Sequence, residues 1–128
     1  MARTQILIAV ENPALRQTLL ELLQEYYDVV SIVGGEKSVL NEVEVVRPDV
    51  VLLGVAFYGI SGFEIARRLR QFKSPAKIIL LSLHESREMV RAAIGVGVSG
   101  YVFLSRLLED LPAAIKAVSH GQIFEPAL

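Results

Sequence analysis

Three short, almost wholly apolar runs constrain this chain more than any other feature: Gln5–Val10 (QILIAV), Asp49–Leu53 (DVVLL) and Lys77–Leu81 (KIILL). A strand with one face in water alternates apolar and polar residues. A run without alternation suits a strand covered on both faces, as in parallel sheets. Such strands need helices above and below, and the intervening sequence supplies them. Asn12-Pro13 is a helix start, Asn as N-cap and Pro in the first position. Leu15, Leu19, Leu22, Leu23 and Tyr26 then follow at helical spacing, so Pro13–Glu25 reads as an amphipathic helix. Tyr27–Val33 is a second, β-branched strand, broken by Gly34-Gly35. Val39, Leu40, Val43 and Val46 mark a second helix that stops before Pro48, because the residue preceding proline avoids helical dihedrals.

Ser61, with Glu64 three residues on, forms a capping box for a third helix. Its Phe63, Ala66 and Leu69 point inward and its Arg67, Arg68 and Arg70 outward. Ser86–Val96 is a fourth helix, Tyr101–Phe103 a short fifth strand, and Asp110–His120 a fifth helix with Pro112 in its first turn and Gly121 behind it. Strand and helix alternate throughout, which predicts one α/β sandwich with a central parallel sheet and right-handed crossovers. In such sheets ligands gather beyond the carboxyl ends of the strands.

Composition narrows the chemistry. At 128 residues the chain is one domain by size, and 52% hydrophobic residues suffice for a core. It has no cysteine, which removes disulfides, thiolate metal sites and thiol nucleophiles and suits a cytoplasmic setting. A net charge of −1 gives no global attraction to nucleic acid or anionic lipid. The N-terminus lacks a signal-peptide pattern, and no apolar run is long enough to span a bilayer. The mean hydropathy of +0.46 is high for a soluble domain and implies doubly covered strands, a partner surface, or both.

The blocks ILIAVENPALR (6–16), RPDVVLLGV (47–55), GISGFEIARRLR (59–70), KIILLSLH (77–84) and AAIGVGVSGYVF (92–103) together resemble a response-regulator receiver domain, of the kind that precedes a NarL/FixJ-type helix-turn-helix. The resemblance covers nearly the whole chain. It implies the flavodoxin-like (βα)5 three-layer sandwich, with a five-stranded parallel sheet in the order 2-1-3-4-5. It also implies a phosphorylation site. In the family, two acids after strand one and one after strand three bind Mg²⁺, and the strand-three aspartate is the nucleophile. A hydroxyl after strand four and a lysine after strand five hold the phosphoryl oxygens, so that positioning and charge neutralisation do the chemistry.

Carried onto this sequence, those positions fall on Val10 and Glu11, Gly54, Ser82 and Leu104, with Tyr101 at the aromatic switch position. Only Glu11, Ser82 and Tyr101 keep the family's chemistry. Without a side chain at 54 there is no acyl phosphate. Glu11 is a weak metal candidate, since Mg²⁺ wants near-octahedral oxygen coordination and one carboxylate supplies little of it. Loss of two acids and the lysine together leaves a nearly neutral site rather than an orphaned charge. The expectation is therefore a degenerate pseudo-receiver, non-enzymatic, with no cofactor and no catalytic residue.

Such a module works through a protein partner or a second copy of itself, with no direct nucleic-acid binding and no membrane contact by these residues. Phe57, Tyr58, Met89, Val96, Leu107 and Leu108 are the expected interface residues. Val10, Phe57, Tyr58, Leu104, Leu107 and Leu108 should form an apolar rim at the strand ends, with Phe57 or Leu104 folding over the vacant pocket. With its trigger gone, Tyr101 is expected to hold one position. Residues 1–121 form the receiver-like unit, and 122–128 a tail where the linker to a DNA-binding domain would begin. The competing readings are a receiver phosphorylated on another residue, with Ser61 and Ser82 the nearest hydroxyls, and a small-ligand sensor using the vacated pocket. The basic cluster Arg67, Arg68, Arg70, Lys73 and Lys77 reads as a solvated face, lacking interleaved aromatics for base stacking.

Overall fold

The computed structural model describes residues 3–34, 36–57 and 60–128, with side chains omitted at 36–38, 56–57 and 60. Five parallel strands form the central sheet: β1 (Gln5–Ala9), β2 (Asp28–Val33), β3 (Val50–Gly54), β4 (Lys77–Ser82) and β5 (Gly100–Phe103). Their spatial order is β2-β1-β3-β4-β5, the flavodoxin-like arrangement. The helices are α1 (Pro13–Leu23), α2 (Glu36–Val46), α3 (Gly62–Gln71), α4 (Arg87–Gly95) and α5 (Leu107–Ser119).

Strand pleating sorts the apolar runs onto two faces. Leu7, Ala9, Val51, Leu53, Ile78, Leu80, Tyr101 and Phe103 meet α2, α3 and α4 through Val39, Val43, Ile65, Leu69 and Val90. Ile6, Ile8, Val10, Val50, Leu52, Ile79, Leu81 and Val102 meet α1 and α5 through Leu19, Leu23, Leu111, Ile115 and Val118. The sheet is thus covered on both sides, which is why its runs do not alternate. Burying one such side chain contributes about 1.5–3 kcal/mol.

The caps follow the sequence. The Asn12 side chain accepts from the Leu15 amide, the Ser61 hydroxyl from Glu64 and the Ser86 hydroxyl from Met89. Three details differ from expectation. A two-residue antiparallel ribbon, Ala56–Phe57 against Ile60–Ser61, intervenes before α3. Leu104–Arg106 forms a 3₁₀ turn that runs straight into α5, so the helix begins at Leu107 rather than Asp110. Pro112 therefore sits in the second turn and has no N–H to offer the Leu108 carbonyl.

Arg70 was expected to face outward. It instead lies half-buried, its stem packed where a Cβ on Gly97 would collide with its Cδ at 2.7 Å. Its guanidinium donates to the Ala76 carbonyl, and burial pushes its pKa down. Gly97 has φ +100°, so the absence of a side chain serves both the backbone turn and the passage of Arg70.

The tail returns along the outer edge of β5. The Phe124 amide donates to the Ser99 carbonyl, and the Tyr101 amide donates to the Phe124 carbonyl. The Phe124 ring packs half-buried against the α1/α5 side of the core. Among the described residues, no helix is long and apolar enough to cross a membrane.

Candidate functional site

Strand register assembles the site. Ala9 lies beside Leu53, Gly54 beside Leu81, and Ser82 beside Phe103. Val10, Gly54, Ser82 and Leu104 therefore leave their strands in one staggered row at the carboxyl end of the sheet.

The row is unevenly polar. Val10 is only 2% exposed and belongs to the α1/α5-side core, which corrects the expectation that it lines an apolar rim. Directly behind β1 it continues the strand's alternation, on the same side as Ile8, toward the cluster that holds Leu19. Leu104 is half-buried and packs against that same cluster. Gly54 ends β3, and its carbonyl lies close under Gly62. A Cβ on Gly62 would strike that carbonyl oxygen and approach the Val55 Cα to 3.0 Å, so only glycine lets α3 start so close to β3. The Gly62 amide donates to the Val55 carbonyl at 2.6 Å, closing the turn. Glu11 is half-buried in the loop that follows.

Among the described residues, Ser82 is the one buried polar residue of the core. Its Oγ accepts from the His84 amide at 2.9 Å, and the Tyr101 hydroxyl donates to the His84 carbonyl at 3.1 Å. Ser82 and Tyr101 thus hold residue 84 from both sides of its backbone, while the imidazole is exposed. The Tyr101 ring is fully buried, edge-on to Phe103 at 5.7 Å and 80°. One turn further, the Ser105 hydroxyl donates to Glu85 Oε2 at 2.6 Å, tying the loop after β4 to the loop after β5.

Sequence reasoning missed Arg16. Its Nε donates to the Val10 carbonyl at 2.8 Å and its Nη2 to the Glu11 carbonyl at 2.6 Å. Its guanidinium lies 3.1 Å from where a Gly34 Cβ would stand. Helical side chains lean toward their own N-terminus, so a long cation in the first turn of α1 reaches back over the end of β1. That geometry is the signal by which the residue could have been found.

Of the expected interface residues, Met89 and Val96 lie half-buried against the α4 side of the core. Leu107 and Leu108 lie elsewhere, in a groove between α1 and α5 that also includes Leu22, Tyr26 and Pro112. Leu107 is buried and forms its floor; Leu108 (67% exposed) and Tyr26 (70%) form its walls. Tyr58 and the Phe57 side chain fall outside the described residues. Among those described, no three His, Cys, Asp or Glu residues converge as a metal site would require.

A doubly wound α/β domain with a glycine turn behind β3, a buried hydroxyl at the end of β4 and a buried aromatic on the edge strand β5 has the construction of a signal receiver. The model of the response regulator receiver domain matches residues 6–116, and the chain belongs to that family. The chain is 29% identical over 119 residues to the nitrate/nitrite response regulator protein NarP of Escherichia coli, covering 91% of this chain and 55% of NarP. It is 30% identical over 118 residues to the positive alginate biosynthesis regulatory protein of Pseudomonas aeruginosa, covering 89% of this chain and 46% of that one. It therefore spans about half the length of these curated relatives. Among solved structures, a LuxR-family two-component response regulator from an Aurantimonas species superposes with a TM-score of 0.91 at 25% identity, covering 97% of this chain and 90% of that one. The isolated receiver domain of RcsB from Salmonella enterica superposes at 0.88 and 19% identity, covering 97% and 94%.

Proposed function

We propose that this chain is a receiver module that signals by protein contact and takes no phosphoryl group at the strand-three position. The observation that carries the reading is the row of strand ends. The nucleophile position is Gly54, and the first acid and lysine positions, Val10 and Leu104, pack into one apolar cluster. The losses fit together: an amine at 104 without carboxylates at 10 and 54 would be an uncompensated cation against apolar surface, at a cost of several kcal/mol. Incubating the protein with acetyl phosphate and Mg²⁺ and weighing it by mass spectrometry tests this. The expected spectrum is unchanged. A gain of one phosphoryl group that disappears in Ser82→Ala or Ser61→Ala would replace the reading with phosphorylation at another residue.

The output is contact with a second copy or a partner, regulating an attached or separate transcription factor. Several relatives of roughly twice this length are named as transcriptional regulatory proteins, which supports a linker that begins within residues 122–128, beyond the Phe124 contact with β5. A helix-turn-helix coding sequence downstream in the gene would check that assignment. For self-association, the α1/α5 groove is the favoured face, because Tyr26 and Leu108 leave large apolar surface in water there. Light scattering at rising concentration should show a dimer that Leu108→Glu abolishes. A monomer at every concentration excludes the homodimer.

A further inference from the structure

At the opposite end of the sheet, a second groove opens between the C-terminal ends of α2 and α3. Leu40, Val43, Leu69 and Ala76 line it, and Phe72, 69% exposed, stands at its wall. Arg47 and Lys73 stand at its rim, with Glu44 as the rim's carboxylate. A shallower hollow continues from it past Pro48 to Arg3 and Lys77, with Asp49. The two hollows together carry four cations, of which Arg3 is paired with Asp28 at 3.8 Å, against two carboxylates, on a chain whose net charge is −1. One of those carboxylates already accepts a hydrogen bond, from the Gln5 amide to Asp49 Oδ2.

The backbone adds a second observation. Behind α4 and α5 the chain turns left-handed at Gly97 and Gly121 (φ +100° and +76°), as is usual. Behind α2 and α3 it turns left-handed at Arg47 and Lys73 instead (φ +52° and +56°), where an L side chain is strained. A cation does favour a helix C-terminus. α3, however, already has Arg68 and Arg70 in its last turn, and that gain needs no strained lysine after them. The two helices that border this groove each end on a cation where glycine would be unstrained, and both cations line it.

We propose that this groove docks an acidic peptide segment of a partner protein, with an aromatic or large aliphatic residue against Phe72 and Leu69 and carboxylates toward Arg47 and Lys73. The occupant is a peptide rather than nucleic acid because the floor is apolar and Glu44 would repel a continuous polyphosphate. The groove lies away from the row of strand ends and from the α1/α5 face, so a partner held here leaves both unobstructed.

Fluorescence anisotropy with the full chain and a fluorescein-labelled peptide of alternating Glu and Asp with one central Trp provides the test. Saturable binding is expected, weakened roughly tenfold by Phe72→Ser, as loss of an interface anchor does, and roughly threefold by Lys73→Gly, as loss of one exposed charge pair does. Lys73→Gly should also leave the melting temperature unchanged or raised, since it relieves the left-handed backbone; a lysine that served only as a helix cap would lower stability and leave binding intact. Leu108→Glu, in the other groove, should bind as the parent does. The proposal is overturned if binding is absent, if Phe72→Ser binds like the parent, or if a duplex DNA of equal charge competes as well as unlabelled peptide, which would mean attraction of any polyanion.

Discussion

Residue 84 is gripped through its backbone from two sides. Its amide is held by Ser82 and its carbonyl by Tyr101, and both partners are buried. Tyr101→Phe should destabilise the chain by about 1 kcal/mol and Ser82→Ala by about 1–2 kcal/mol, since each leaves a polar group without its partner. Because both grip one residue, the double variant should depart from additivity by more than ~0.5 kcal/mol. Urea unfolding of the three variants checks this; strict additivity would mean the two bonds act independently. Ser82 ends β4, while Tyr101 is the second residue of β5. The sequence could not reveal that their common partner is backbone, because a carbonyl leaves no mark in a residue pattern. Val10 tells the same lesson from another side: its apolar character was legible, but its full burial depends on Leu19 and Leu107 arriving from distant elements. Val10→Asp should accordingly cost about 3 kcal/mol or more, an unpaired charge in the core. The combination Gly54→Asp with Val10→Asp should unfold before it accepts a phosphoryl group, as circular dichroism and mass spectrometry would show.

At the scale of elements, five strands and five helices were readable because unalternated runs and helical stripes each span enough residues to set a period. What escaped was short. The ribbon at Ala56–Phe57 and Ile60–Ser61 has two residues a side, too few to carry periodicity. The start of α5 was misplaced because Leu104–Arg106, a 3₁₀ turn, feeds it without a capping side chain. α3 was legible from its Ser61 N-cap, although the Glu64 carboxylate of the expected capping box accepts from Arg67 and Arg68. The first turn of α3 makes a pH prediction. The hydrogen bond from Arg67, with further help from its charge and from Arg68, holds the Glu64 carboxyl below its ordinary value. A lowered carboxyl pKa means that the folded state releases its proton more readily. The resulting stabilisation is present above the ordinary carboxylate range and is lost as pH falls through the lowered value. Glu64→Gln should therefore lower stability at neutral pH, leave it unchanged at strongly acid pH, and so flatten the acid limb between the two. Thermal melts between neutral and acid pH would check this, and an unchanged acid limb would refute it. The Gly62 turn is the stricter element: Gly62→Ala forces backbone apart at Gly54–Val55 and should cost about 1–3 kcal/mol, measured by urea midpoint.

For the molecule as a whole, the tail is part of the fold rather than an appendage. Two backbone hydrogen bonds and the half-buried Phe124 ring fasten it to β5, directly beside Tyr101. Ending the chain at Gly121 should cost about 2–4 kcal/mol, from two hydrogen bonds and part of an aromatic side chain. Hydrogen exchange at the Tyr101 amide should accelerate in parallel; unchanged protection there would show that the tail merely rests on the surface.

That fastening also bears on how the sheet behaves in a crowded solution. An open parallel sheet has two outer strands, and each presents unpaired amides and carbonyls that another chain can copy. Phe124 occupies the upstream half of the β5 margin, leaving β2 as the more accessible template. Joining through β2 alone pairs molecules two at a time about a twofold axis and then stops, whereas fibre growth needs a second usable margin. The nine residues after the last helix thus help turn a sheet able to stack indefinitely into one whose strand-to-strand association ends at a pair.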